Sequence, residues 1–322
     1  MFEMSEYIAW LDVAQPLSAN VVGGKGASLA RLAAAGFPVP PAFAVTAEAY
    51  RKYHDHHGLA AFAEALETLS GRPPLAAVRE AVAPVVAVVE RSALPGDVFS
   101  AISGAYAELA SRCHSSSTFA VRSSGASEDG ATASFAGLYE SYINITGHEA
   151  IAKAVLDCYA CLWQPRAVHY RTIKGLGHRH EAMAAVVMQT VQSRVSGVAF
   201  TQHPVTGATD EILINSSWGL GEAIVSGLVT PDNFVVKKTG TVTVRDIARK
   251  EKRVVPVPGG TVEEDVPAGD QFACSLTDEQ LDTLSRAAVA IEQHYGMPMD
   301  IEFAFDVEGA FYLLQARPIT TR

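Results

Sequence analysis

The sequence predicts an α+β fold of two lobes with mixed sheets, and three observations predict it. Helical apolar periodicity dominates the first half of the 322 residues, short strand-like runs dominate the second, and the chain closes on two strands joined by a tight turn. That length suits two domains, expected at 1–188 and 189–322, the first with a helical insertion over about 59–114. A hydrophobic content of 48% with 19% charged residues belongs to a core-forming chain. The net charge of -10, without a polybasic run, argues against nucleic acid as the main partner.

Taken in order, the N-terminus carries Glu3 and Glu6 where a signal peptide would carry Lys or Arg. The longest apolar stretch, AAVREAVAPVVAVVE, is interrupted by Arg79, Glu80, Pro84 and Glu90, so no membrane span is expected and a cytoplasmic protein is. VVGGKGASLARL, residues 21–32, opens the first helix. It is not a Walker loop, because Lys25 precedes Gly26 and no hydroxyl follows the lysine directly. Gly36 and FPVPP end that helix, AFAVT reads as a strand, and Thr46 as the N-cap of the next helix. The Ala-rich region 59–114 reads as structural helices. A strand at 119–121 delivers Arg122 beside Ser123 and Ser124, and the small-residue loop Gly130-Ala131-Thr132-Ala133-Ser134 leads to another β-rich run.

A helix is expected around 149–171. AAVVMQTV reads as a buried strand ending near Gln189, and three more strand-rich stretches follow up to 246. Thr277 and Gln280 have capping-box spacing ahead of an amphipathic helix. Cys158 and Cys161 form a C-x-x-C inside a helical pattern, without a second ligand pair, and read as small core residues. HDHH at 54–57 reads as a polar helix end. No internal repeat is visible.

The terminal hairpin is the richest stretch. Alternation puts Asp300 and Glu302 on one strand face, with Ile301, Phe303 and Phe305 on the other. If Phe305 pairs with Ala310, Asp300 falls opposite Gln315 and Glu302 opposite Leu313, and one face gathers Asp300, Glu302, Gln315 and Arg317. Oxygen ligands suit Mg²⁺, and a guanidinium suits phosphate. An exposed sheet face with ordinary ion pairs would carry the same residues.

Together, VVGGKGASLARL…GFPVPPAFAVT, FAVRSSGASEDGATASFAGLYESY, GVAFTQHPVTG, INSSWGLGEAIVSGLVTPD and DIEFAF…LLQARPITT resemble the ATP-binding domain of the pyruvate phosphate dikinase and phosphoenolpyruvate synthase family, which includes rifampin phosphotransferases. The likeness covers nearly the whole chain in the family's order. It implies an ATP-grasp fold with a nucleotide cleft between two lobes. It also implies that Lys25, Arg122 and Arg317 act on the ATP phosphates and that Gly130 to Ser134 form a covering loop. Gln189 would lie near the adenine, and Glu302 and Gln315, with Asp300 nearby, would hold Mg²⁺. Such enzymes pass phosphate through a histidine on a separate swivelling domain, and none of the ten histidines here sits in a matching motif. His203 reads as a loop residue. Three readings follow: an ATP-binding part acting on a histidine domain in trans, a self-contained enzyme phosphorylating a small molecule or ligating a carboxylate, and a nucleotide-binding regulator without turnover. The matched set of charged residues argues against the last.

Overall fold

The computed structural model describes residues 6–126, 141–179 and 181–319. They belong to two compact units, Met1–Arg31 with Pro41–Gln189, and Leu32–Pro40 with Thr190–Arg322.

In the first unit the strands are β1 (Ile8–Trp10), β2 (Ala42–Val45), β3 (Phe119–Gly125), β4 (Ser141–Ile145) and β5 (Met183–Gln189), in the spatial order β1-β2-β5-β3-β4. The helices are α1 (Ala19–Ala34), α2 (Ala47–His56), α3 (Ala60–Leu66), α4 (Leu75–Val89), α5 (Gly96–Arg112), α6 (His148–Cys161) and α7 (Pro165–Lys174). β5 is central, and its MAAVVM run is buried throughout, as expected of a strand covered on both faces. Phe43, Val45, Phe119, Val121, Ala185 and Val187 turn one sheet face into a core shared with the helices of 59–114 and with α6. The Ala-rich region is therefore part of this core. The expected helix at 149–171 is two helices, because Pro165 has no N–H to continue the first and takes the N1 position of the second. Thr46 caps α2 as expected, its Oγ1 accepting from Ala49 N.

The second unit holds β6 (Ser193–Phe200), β7 (Glu211–Trp218), α8 (Glu222–Val225), β8 (Asp232–Lys237), β9 (Val242–Asp246), β10 (Lys252–Val257), β11 (Gly260–Asp265), α9 (Asp278–Tyr295), β12 (Met299–Asp306) and β13 (Phe311–Pro318). Six strands form one sheet in the order β13-β12-β6-β7-β8-β9, and β10 and β11 form a separate pair. α9 starts with the expected capping box, Thr277 and Gln280 bonding each other's backbone N–H. Its Leu281, Leu284, Ala288 and Ile291 share a core with Ile301, Phe303 and Phe305 of β12, Val195 and Ala199 of β6, and Ile212 and Ile214 of β7. Burial of that sheet face leaves the other one for Asp300 and Glu302. A fully buried Lys250–Asp232 pair ties β8 to the loop after β9, and Ser275 N and Oγ donate to the second carboxylate oxygen.

The α+β class holds. Where mixed sheets are expected, every ladder between described strands is antiparallel, and the parallel pairing among them is the isolated Gly219–Val254 bridge. The reason lies in the connections of the second sheet: sequential strands β6 to β9 and β12 to β13 are neighbours joined by short connections, and the four-residue α8 between β7 and β8 is too short for the crossover a parallel pair requires.

Candidate functional site

The glycine cluster of α1 is shaped by β3. Gly23 has φ +71 and ψ 173, so regular helix begins only after it. A Cβ there would lie 2.0 Å from the Ser124 carbonyl oxygen, so only glycine allows the two backbones this approach. Ser124 Oγ donates to Val22 O at 2.9 Å and accepts from Gly26 N at 3.1 Å, acting as a helix cap supplied by another element. Gly26 in turn faces Val186 of β5, whose Cγ2 a Cβ would meet at 3.5 Å.

Lys25 Nζ donates to Ser123 O at 2.9 Å, which brings its ammonium to the residue next to Arg122. In β3, Arg122 and Ser124 share the face on which α1 lies, opposite the face of Phe119 and Val121. The structure thus gathers Lys25 and Arg122 on one stretch of β3. Both are partly exposed. Gln189 ends β5 opposite Phe119, and its Nε2 donates to Ser117 Oγ at 3.1 Å, so strand parity sets its side chain on the other face from Arg122. Gly130, Ala131, Thr132, Ala133 and Ser134 lie outside the described residues.

In the second unit the hairpin register differs from the expected one. Phe305 pairs with Phe311 and Phe303 with Leu313; then Glu302 pairs with Gln315 and Asp300 with Arg317. The shift between Phe303 and Glu302 leaves Leu314 as an extra residue, a β-bulge. This corrects the expectation that Glu302 faces Leu313. Residues 311, 313, 315 and 317 have the same parity, and a regular strand would turn them all one way. The bulge keeps Leu313 in the core while Gln315 faces Glu302. The expected four residues still share a face, now as two direct cross-strand pairs.

Arg317 donates through Nε and Nη2 to Asp300 Oδ2, each at 2.8 Å. Asp300 is largely sheltered, with 12% of its side chain exposed, while Arg317 keeps 38% exposed. Gln315 is buried and Glu302 half-buried. The register carries the face onward from Glu302 through Val198 and Asn215 to Asn233, and Asn215 Nδ2 donates to Asn233 Oδ1 at 3.3 Å. Asn215 and Asn233 are candidates that the sequence reading missed. Their alternation within EILINSSW and DNFVVK is a usable signal only once the order β12-β6-β7-β8 is known.

The hairpin offers two carboxylates and an amide oxygen, a hard donor set without sulfur or imidazole. Among the described residues no group of three or more His, Cys, Asp and Glu forms a metal cage. A cation held here would need further oxygens from water or a phosphate, which is how Mg²⁺ is usually bound. A surface cavity of about 190 Å³ lined by Arg194, Trp218, Thr277 and Asp306 lies at the opposite end of β12 from Asp300 and includes none of the four.

The remaining motifs have structural duties. Cys158 and Cys161 are buried in the core side of α6. In HDHH, His57 Nε2 bonds the Ala93 carbonyl at 2.8 Å and His54 stacks on Trp163. His203 Nδ1 accepts from the N–H groups of Val205 and Thr206 within its own turn. No helix of the described residues is long and apolar enough to cross a membrane.

Residues 19–322 match the family described as pyruvate phosphate dikinase, AMP/ATP-binding domain. A probable phosphoenolpyruvate synthase of Methanocaldococcus jannaschii is 42% identical over 98% of this chain and 27% of its own length. The phosphoenolpyruvate synthase of Pyrococcus furiosus is 37% identical, over 98% and 44% respectively. A rifampicin phosphotransferase from a Streptomyces species is 41% identical, over 93% and 34%. The chain therefore spans less than half of the length of these relatives.

Proposed function

The chain belongs to the pyruvate phosphate dikinase AMP/ATP-binding domain family, and from that premise we propose that it is the MgATP-binding part of a phosphotransferase, its two units serving as ATP-grasp lobes. The phosphoryl group, or a pyrophosphoryl group, passes to a histidine on a separate domain or subunit. The observation that carries this reading is the pairing of Glu302 with Gln315 beside Asp300 with Arg317 on one polar sheet face.

In this reading Glu302 and Gln315 hold Mg²⁺ through their side-chain oxygens, with Asp300 beside them. The metal, when bound, neutralises charge on the phosphates. Arg317, fixed in orientation by Asp300, keeps an exposed part of its guanidinium for phosphate oxygens. Lys25 and Arg122 bind phosphate in the first unit, Lys25 being held in place by the Ser123 carbonyl. Gly130 to Ser134 cover the phosphates with backbone N–H groups, and Gln189, whose side chain turns to the other sheet face and bonds Ser117, lies near the adenine through its main chain. The rate enhancement then comes from positioning and from charge neutralisation. In this reading the enzyme works in the cytoplasm.

The test is nucleotide product analysis with MgATP, with and without a histidine domain from a relative. Nucleotide product formed only with the added domain supports the proposal, ADP if a phosphoryl group is passed and AMP with phosphate if a pyrophosphoryl group is. ADP formed by the chain alone with a small-molecule or carboxylate acceptor would replace it with a self-contained kinase or ligase.

A further inference from the structure

The pair that aims Arg317 lies where two strands end. Asp300 is the second residue of β12 and Arg317 the second-last of β13, while Glu302 and Gln315 lie two residues further in. Strand ends fray, and a carboxylate on a loose end cannot fix a guanidinium. β12 is interior to its sheet, so its backbone groups alternate between neighbours: those of Asp300 turn to β13 and those of Met299 to β6. The strand directly before Asp300 is therefore held through Met299.

β6 ends at Phe200, and the residue after it supplies that hold partly by its side chain. Thr201 N donates to Met299 O at 2.9 Å. In return Met299 N donates at 2.8 Å to Thr201 Oγ1, where a strand would offer its carbonyl oxygen. The hydroxyl in turn donates to Glu292 Oε1 of α9 at 3.1 Å. Lys238, the residue after β8, pairs with the other Glu292 oxygen, and its backbone N donates to Asp210 O at 3.0 Å. A hydroxyl that donates to a charged acceptor is itself a better acceptor, so Glu292 strengthens the bond to Met299 N. Thr201 is fully buried, and Glu292 and Lys238 keep 19% and 21% of their side chains exposed. Thr201 shares strand parity with Ala199 on the core face, so this chain of bonds reaches Asp300 from behind the sheet and acts through the main chain.

Ending a strand needs no such chain, since a backbone carbonyl would satisfy Met299 N as well. Fixing a plane in space needs more. A bidentate hold on phosphate depends on the plane of the guanidinium, which Asp300 sets through Nε and Nη2. Given the proposed role of Arg317 as a phosphate ligand, we infer that Thr201 and Glu292 are positioning residues for the Asp300–Arg317 pair. They hold the start of β12 so that the guanidinium meets a nucleotide phosphate in the right plane.

The experiment measures binding of β,γ-imido-ATP with Mg²⁺ to the full chain by calorimetry, at a temperature below the melt of every variant. Arg317→Lys should weaken binding about tenfold. Thr201→Val keeps the shape and loses the hydroxyl; it should weaken binding about fivefold, and Thr201→Ser should restore it. The double variant decides. A lysine ammonium has no plane to aim, so Thr201→Val should add nothing in the Arg317→Lys background. Glu292→Ala leaves the ladder pair with Met299 in place and should weaken binding about threefold, again only while Arg317 is present. It carries the test if Thr201→Val does not fold. A loss that persists in full in the Arg317→Lys background, or unchanged affinity in Thr201→Val and Glu292→Ala, would overturn the inference and leave Arg317 standing as a phosphate ligand. Unchanged binding in Arg317→Lys would overturn both.

Discussion

The two candidate clusters hold charge in place by opposite means. In the first unit Lys25 is set by backbone: Gly23 allows main-chain approach to Ser124, and the ammonium binds the Ser123 carbonyl. In the second unit the side chains set one another across a ladder, Arg317 against Asp300 and Gln315 opposite Glu302. The lesson is that the two sites should fail differently. An added methyl should break the first through stability, whereas a removed carboxylate should break the second through chemistry alone.

The sharpest way to break that contrast is Glu302→Ala. We expect MgATP-dependent phosphoryl transfer to fall by about 10³-fold, or about 4 kcal/mol, with the melt of the apo protein nearly unchanged. A large loss of apo stability would mean that this sheet face is structural. Gly23→Ala comes next, with an expected stability loss of about 3 kcal/mol from the clash and the positive φ together. Its control is Gly36→Ala, where φ is +80 but no atom lies within 4 Å of the added carbon; strain alone should cost about 1 kcal/mol. Equal losses in denaturant titrations would remove the close approach at Ser124 from the account.

Acid sharpens the comparison further. Burial and the neighbouring Arg171 guanidinium make His178 titrate near 4 in the folded first unit, against the ordinary 6.5 when unfolded, so the folded state disfavours its protonation. Its contribution is complete above pH 6.5, declines as the pH falls, and is lost through pH 4, the loss reaching about 2 kcal/mol at pH 5. Amide exchange should show the α7 region loosening over that window, and His178→Asn should flatten the response. The smallest effect belongs to Arg317→Lys. Its pair with Asp300 is more than one-third exposed on the arginine side, so apo stability should move by no more than about 0.5 kcal/mol, as read from denaturant midpoints. A loss several times larger would mark the pair as a structural tie.

Much of this was legible from periodicity. The polar face of the hairpin, the Thr46 and Thr277 caps and the strand that delivers Arg122 all rest on local alternation or spacing, which tertiary structure did not overrule. The hairpin register was not legible, because a bulge changes parity without changing composition. The doubled Leu313-Leu314 is its faint trace. The reason for Gly23 was hidden because its contact, Ser124, is remote in sequence. Asn215 and Asn233 were hidden because sharing a sheet face with Glu302 depends on the order of four strands and not on any one of them. Pro165 was visible, and reading it as a helix start would have divided 149–171 correctly.

The extra residue at Leu314 also has a bearing on how the chain can vary in length. Remove it, and Leu313 and Gln315 become ordinary alternating neighbours, one still turned to the core and the other to Glu302. Remove a residue of β13 outside the Leu313-Leu314 pair, and side chains on one side of the cut exchange core for surface. That leucine pair is thus the point in the hairpin where a one-residue deletion is expected to leave both the apolar packing and the polar face in phase.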